Sequence, residues 1–163
     1  MDSFHSSVQA PSIYLASQSP RRRELLQQIG VPHAVIRVDV VEMPLDNELP
    51  GNYVQRLARE KALEGVAAVN QQQLAVKPVL GADTIVVSDG KILEKPRDAE
   101  HATDMLRQLS GKTHQVITAV ALATEKNVTQ KLSITDVTFR SLQDSEIAAY
   151  WRTGEPQDKA GGY

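Results

Sequence analysis

The chain has 163 residues, no cysteine, a formal net charge of -2 at pH 7, 41% apolar residues and 23% charged ones. That length holds one domain with a sizeable core and excludes two of ordinary size. The charge excludes a global basic field for nucleic acid. The lack of cysteine excludes a disulfide framework and thiolate chemistry, and no run reaches the roughly 18 apolar residues of a membrane span.

The opening "MDSFHSSVQAPS" has neither a basic start nor an apolar stretch, so residues 1–11 read as a disordered leader to a soluble, cytoplasmic protein. "SIYLA" predicts a first strand. Ser19 and Pro20 then read as an N-cap and first helical residue, Leu25, Leu26 and Ile29 carry the helical spacing, and Gly30 closes the helix. A helix tip already carries partial positive charge, so Asp or Glu belongs there. Arg21, Arg22 and Arg23 do not, and their position calls for an external anion.

"HAVIRVDV" (33–40) predicts a second strand, "GNYVQRLAREKALEGVAAVN" (51–70) a long helix and "KPVLGADTIVV" (77–87) a third strand, joined through Asp89 and Gly90 to the hairpin partner "KILE". Asp98 reads as the cap of a helix in which Ala102, Met105, Leu106 and Leu109 recur at three and four residue steps, ended by Ser110 and Gly111. Two alternating runs, "HQVITAVALAT" and "KLSITDVTF", follow, separated by the loop "EKN". Ser141 with Asp144 resembles a capping box for a helix through Ile147, Ala148 and Trp151. The sum is an α/β single domain over residues 12–163, with a mixed, twisted sheet flanked by helices. After "RTGEPQDKAGGY" no closing element is legible, which reads as a C-terminally shortened chain.

Four residues look out of place. Asp83 stands in an apolar strand, where an unpaired carboxylate is expensive, and Gly81 ahead of it allows a close backbone approach. Lys61 falls on the apolar stripe of its helix, seven residues after Val54 and four after Leu57, where a snorkelling lysine is the plainer alternative. Lys95 lies on a loop and Glu42 follows a strand, and either could be merely solvated. Together with Ser17, Ser19 and the arginines they form a set suited to polyphosphate: guanidinium, hydroxyl and backbone donors for phosphate oxygens, with two carboxylates as hard ligands for Mg²⁺. No Walker loop, G-x-G-x-x-G or G-x-S-x-G occurs, and His5, His33, His101 and His114 lack the spacing of a zinc site; Ser17 and Ser19 have no partner histidine to make them nucleophiles, so water reads as the nucleophile.

"LASQSPRRRELL", "LAREKA", "GADTIVV", "EKPRDAEHATDMLRQLSGKTHQVITAV" and "TGEPQDKAGGY" resemble, in order, the motifs of the Maf family of nucleoside triphosphate pyrophosphatases. The resemblance implies a Maf/ITPase-like fold and hydrolysis of a nucleoside triphosphate, dTTP or UTP for the "GADT" form, to monophosphate and pyrophosphate, with a divalent cation, Mg²⁺ or Mn²⁺. It implies Asp83 as the catalytic carboxylate, acting as base or metal ligand, with Glu42 in the same site. Arg21 and Thr84 fall at positions that tune base specificity, and Ser17, Ser19, Arg22, Lys61 and Lys95 at phosphate positions. Asp158 and Lys159 match a loop that closes over substrate. The family pattern continues past "AGGY", so a nucleotide-binding module with little turnover is the alternative. The expected partner is a free nucleotide, not nucleic acid or membrane, and a homodimer stays open.

Overall fold

The computed structural model describes residues 10–163; residues 1–9 of the expected leader lie outside the described residues. In chain order the elements are β1 (Ile13–Leu15), α1 (Pro20–Gln28), β2 (His33–Val35), α2 (Pro50–Gln71), β3 (Val79–Ser88), β4 (Lys91–Leu93), α3 (Ala99–Leu109), β5 (Thr113–Ala123), β6 (Val128–Thr138) and α4 (Asp144–Arg152). Two short 3₁₀ turns, Glu155–Asp158 and Ala160–Gly162, follow. The fold is α/β: the strands pair in the order β2-β1-β3-β5-β6, with β4 on β3. The sheet is mixed, because β1 runs parallel to β2 and β3 while β3 and β4 are antiparallel. Among the described residues no helix is long and apolar enough to cross a membrane. The chain packs as two compact units, each with its own apolar cluster.

The first unit takes the described residues to Glu42, Leu57–Ala82 and Val120–Gln130. Its core gathers Tyr14, Ala16, Ile36, Val69 and Val79. Helix α2 turns Leu57, Ala58 and Ala62 inward, as the helical spacing requires. Two glycines bring helix and strand into backbone contact. A Cβ on Gly65 of α2 would stand 2.5 Å from Val79 Cγ1, and one on Gly81 of β3 would stand 2.3 Å from the Ala58 carbonyl oxygen and 2.5 Å from the Ala62 nitrogen. The second strand is shorter than the apolar run 33–40 predicts. Its partner β1 ends at Leu15, so after the Ile36 amide bonds the Leu15 carbonyl at 3.0 Å no ladder remains. In α1 only Leu26 is buried. Leu25 and Ile29 stay 52% and 71% exposed, because adjacent helical residues point apart and Ile29 lies past the helical φ/ψ at the C-cap.

The second unit takes Met43–Arg56, Asp83–Ala119 and Lys131–Tyr163. Asp89 (φ 51°) and Gly90 (φ 74°) make the hairpin turn between β3 and β4, both in the left-handed region that primed turns need. The Asp98 side chain caps α3 by accepting from the His101 amide at 2.8 Å, and Ala102, Met105, Leu106 and Leu109 are buried as the spacing predicts. The predicted box at Ser141 and Asp144 is displaced: Gln143 is the N-cap of α4, and its amide donates to Glu146 Oε2 at 3.0 Å. Asp144 instead takes a bidentate pair of bonds from Arg107 of α3, at 2.9 Å each, which draws it out of the capping role. Strand β6 is exposed along most of its length, including Leu132 and Ile134.

Candidate active site

In the first unit the start of α1 is knitted to β3. Ser19 sits at the N-cap in extended conformation, but its side chain makes no capping bond, and the first turn holds no acidic residue. The Ser19 amide instead donates to Ser17 Oγ at 3.3 Å. Arg22 Nη1 donates to the same Ser17 oxygen at 3.1 Å and to the Ala82 carbonyl at 2.8 Å. Arg22 is thereby fixed against the strand, whereas Arg21 and Arg23 are exposed. Charge therefore accumulates at a helix tip whose own dipole is already positive there.

Lys61 is 8% exposed on α2, and its Nζ lies 2.6 Å from Glu42 Oε1. Placed on the apolar stripe as the spacing indicates, it meets a carboxylate instead of snorkelling to water. Gly81 does allow the close approach expected of it, and what approaches is the backbone of α2 one residue away from Lys61.

In the second unit Asp83 is 7% exposed within β3. Strand alternation sends Asp83 to the face of Ile85 and Thr84 to the opposite face, with Val86. Thr84 Oγ1 shares a 3.0 Å hydrogen bond with Thr118 Oγ1 of β5. Lys95 is exposed on the connection between β4 and α3. Asp158 is exposed at the end of the first 3₁₀ turn, and Lys159 Nζ pairs with Glu155. The segment holding these two residues lies on Thr84's face of β3, since a Cβ on Gly161 would stand 2.9 to 3.1 Å from the Val86 side chain. The structure thus joins Ser17, Ser19 and Arg22 in one network and Glu42 with Lys61 in another, and it separates Thr84 from Asp83 by the pleat.

The family model for Maf-like proteins matches residues 12–163. This chain belongs to the Maf family. A relative in Saccharophagus degradans named "dTTP/UTP pyrophosphatase" is 58% identical over 151 residues, covering 93% of this chain and 71% of its own. A relative of the same name in Escherichia coli is 57% identical over 152 residues, covering 93% of this chain and 75% of its own. Among solved structures, the Staphylococcus aureus Ham1 protein is similar at a TM-score of 0.49 and 14% identity, over 81% of this chain and 72% of that one.

Sequence reasoning missed the companions of these residues. Thr118 and His114 share β5's parity with Val116, so the period-2 pattern already turns them to one face. His114 is 3% exposed, and Tyr163 is its hydrogen-bond partner. Nothing local announces Arg56, which holds Glu48 through Nε at 2.7 Å and Nη2 at 2.8 Å and reaches the Met43 carbonyl.

Proposed function

We propose that this protein hydrolyses nucleoside triphosphates, dTTP and UTP foremost, to the nucleoside monophosphate and pyrophosphate, and so clears unwanted nucleotides. The observation that carries this reading is the 57% to 58% identity, across 93% of the chain, to relatives named dTTP/UTP pyrophosphatase. Attack of water at the α-phosphorus expels pyrophosphate, so the protein has to accept one proton and neutralise charge on the phosphates as they separate. Asp83 serves there as the base that takes this proton or as a ligand of a divalent cation. It is the buried carboxylate of an otherwise apolar strand, where solvent competes least for it. Ser17, Ser19, Arg21 and Arg22 offer hydroxyl and guanidinium donors at a helix tip that favours anions; Lys61 and Lys95 add point charges. Arg21 and Thr84 act in base selection, and Asp158 and Lys159 act from the closing segment.

A divalent cation, Mg²⁺ or Mn²⁺, belongs to the same reading, and the donor set fits it. Among the described residues no three His, Cys, Asp or Glu side chains gather into a cage. A small hard cation needs only one or two carboxylates when phosphate oxygens complete its shell. Asp83 would hold it, and Glu42, paired with Lys61, is the carboxylate of the first unit. Bound there, the ion supplies charge neutralisation on the triphosphate. The same reading has the protein acting on free nucleotides in the cytoplasm, and not on nucleic acid or a membrane surface.

The test is a panel of nucleoside triphosphates with Mg²⁺ or Mn²⁺, products separated by ion exchange. Monophosphate and pyrophosphate in equal amounts, fastest from dTTP and UTP, support the reading. Diphosphate with inorganic phosphate, or saturable binding without turnover, rejects it.

A further inference from the structure

His114 and Tyr163 have no part in the chemistry above, and the way they are packed is unusual for polar groups. His114 is 3% exposed on β5, and its Nε2 lies 2.6 Å from the Tyr163 hydroxyl. Its Nδ1 is fully buried with no hydrogen-bond partner. Both rings meet Phe139 edge to face, with centroids 4.9 Å from His114 and 4.7 Å from Tyr163, and the His114 and Tyr163 rings are themselves 5.5 Å apart. Phe139, Tyr163 and Ala160 pack in turn on Val86, Leu93 and Leu109. The 155–163 segment is also held by the fully buried Pro156 and by Gly161, which packs against Val86. Gly162 donates to the Lys159 carbonyl, Gly161 donates its amide to the Glu94 carbonyl at 3.1 Å, and Lys159 pairs with Glu155 inside the same segment.

We propose that His114 is a positioning residue that latches Tyr163, and through it the 155–163 segment with Asp158 and Lys159, onto β3 and β5, and that the latch opens when the imidazole takes a proton. The placement of Asp158 and Lys159 beside substrate rests on the function proposed above; the latch itself does not. In the neutral Nε2–H tautomer the ring donates to the tyrosine hydroxyl and Nδ1 is left as a bare lone pair, with no buried N–H lacking an acceptor. A second proton makes both nitrogens donors. One of them then faces buried space without an acceptor, and the ring carries a charge in an apolar cluster.

Among the described residues no hydrogen bond or ion pair joins His114 to a carboxylate: Nε2 meets the Tyr163 hydroxyl and Nδ1 has no partner. Of the neighbouring charges, Lys112 pairs with Asp89, Arg140 with Glu146, Arg107 with Asp144, and Asp136 accepts from Gln115. Burial holds the imidazole below its ordinary value, while the released ring titrates normally at about 6.5. The released state therefore binds more protons, so the latch is fully engaged above pH 6.5 and weakens as the pH falls below it.

The test reads the latch without substrate. In the full chain, the hydrogen-exchange protection factor of the Gly161 amide is followed by NMR from pH 7.5 to 5.5, corrected for intrinsic exchange. A fall of up to about tenfold is expected across this range, since each pH unit below the free pKa contributes at most tenfold. Tyr163→Phe, which keeps the ring and removes the hydroxyl, should show the reduced protection already at pH 7.5 with no further fall. His114→Gln retains a donor for the hydroxyl but cannot titrate, and it should hold protection flat across the range. In UTP turnover, Tyr163→Phe should raise KM several-fold with kcat little changed. Protection that is flat with pH in the wild type, or a Tyr163→Phe protein indistinguishable from it, overturns the latch. Lost protection with KM unmoved overturns the positioning role. Absence of turnover in the wild type counts against the proposed function alone, because the exchange result still decides the latch.

Discussion

Arg22 Nη1 donates at 2.8 Å to the Ala82 carbonyl, the last backbone acceptor before Asp83. A guanidinium that the sequence offers as a phosphate ligand thus also fixes the strand that carries the carboxylate. Lysine keeps the charge, but its shorter stem withdraws the donor from the place where Nη1 meets both Ser17 Oγ and the Ala82 carbonyl. Arg22→Lys should lower kcat/KM for UTP by about 10- to 100-fold, as expected when a charge-assisted bond near the chemistry is lost. Circular dichroism at the assay temperature should still report a folded protein. Unchanged turnover would make the contact purely structural.

Asp83→Asn preserves shape and removes the proton acceptor. Pyrophosphate release should fall by about 10²- to 10⁴-fold, the usual contribution of a positioned acid or base. Circular dichroism at the assay temperature should still report a folded protein, because the isosteric amide keeps the packing of β3. A variant that turns over normally removes Asp83 from the mechanism.

Gly81→Ala places a methyl group 2.3 Å from the Ala58 carbonyl oxygen, a backbone atom that cannot rotate away. Overpacking of this kind costs about 1–3 kcal/mol or more, so the thermal midpoint should drop by roughly 3–10 °C. Gly51→Ala, in the first turn of α2 with nothing within 4 Å of the new Cβ, serves as the control. It should leave the midpoint unchanged or raise it slightly, since alanine favours helix.

Arg56 binds Glu48 through two bonds and holds its carboxyl at about 2, with the Leu45 amide adding a third bond in the same direction. The folded carboxylate stays charged well below the pH at which the unfolded one protonates. Its contribution to stability is therefore present above about pH 4.5 and lost as the pH falls through about 2. The ¹³C carboxyl shift of Glu48 should titrate with a midpoint near 2, and Arg56→Ala should return it toward the ordinary glutamate range. A midpoint near 4 in the wild type would mean the pair is open in solution.

The elements that could be read in advance are those whose instructions are local. Asp98 before α3, the Asp89-Gly90 turn and the inward stripe of Ala102, Met105, Leu106 and Leu109 each lie within a few residues of what they specify. Asp83 and Lys61 stood out for the same reason, as charges in apolar surroundings. What stayed hidden depends on partners far along the chain. The end of β2 is set by where β1 stops, and the cap of α4 shifts because Arg107 claims Asp144. Lys61 looks unpaired until folding brings Glu42 to it, and Arg22 looks free for a ligand until Ala82 arrives. His114 has the right parity to face inward, but its bond to Tyr163 spans 49 residues and leaves no mark in either local sequence.

The notches at Gly65 and Gly81 are reciprocal: the helix yields to a strand side chain at one, and the strand yields to helix backbone at the other. Paired indentations of this sort oppose axial slippage, because advancing α2 by a turn of about 5.4 Å would replace both gaps with occupied volume. The helix and the opening half of β3 are thereby indexed to each other like a key and its ward, and the depth at which the Lys61 ammonium sits is set by that registration as well as by its carboxylate partner.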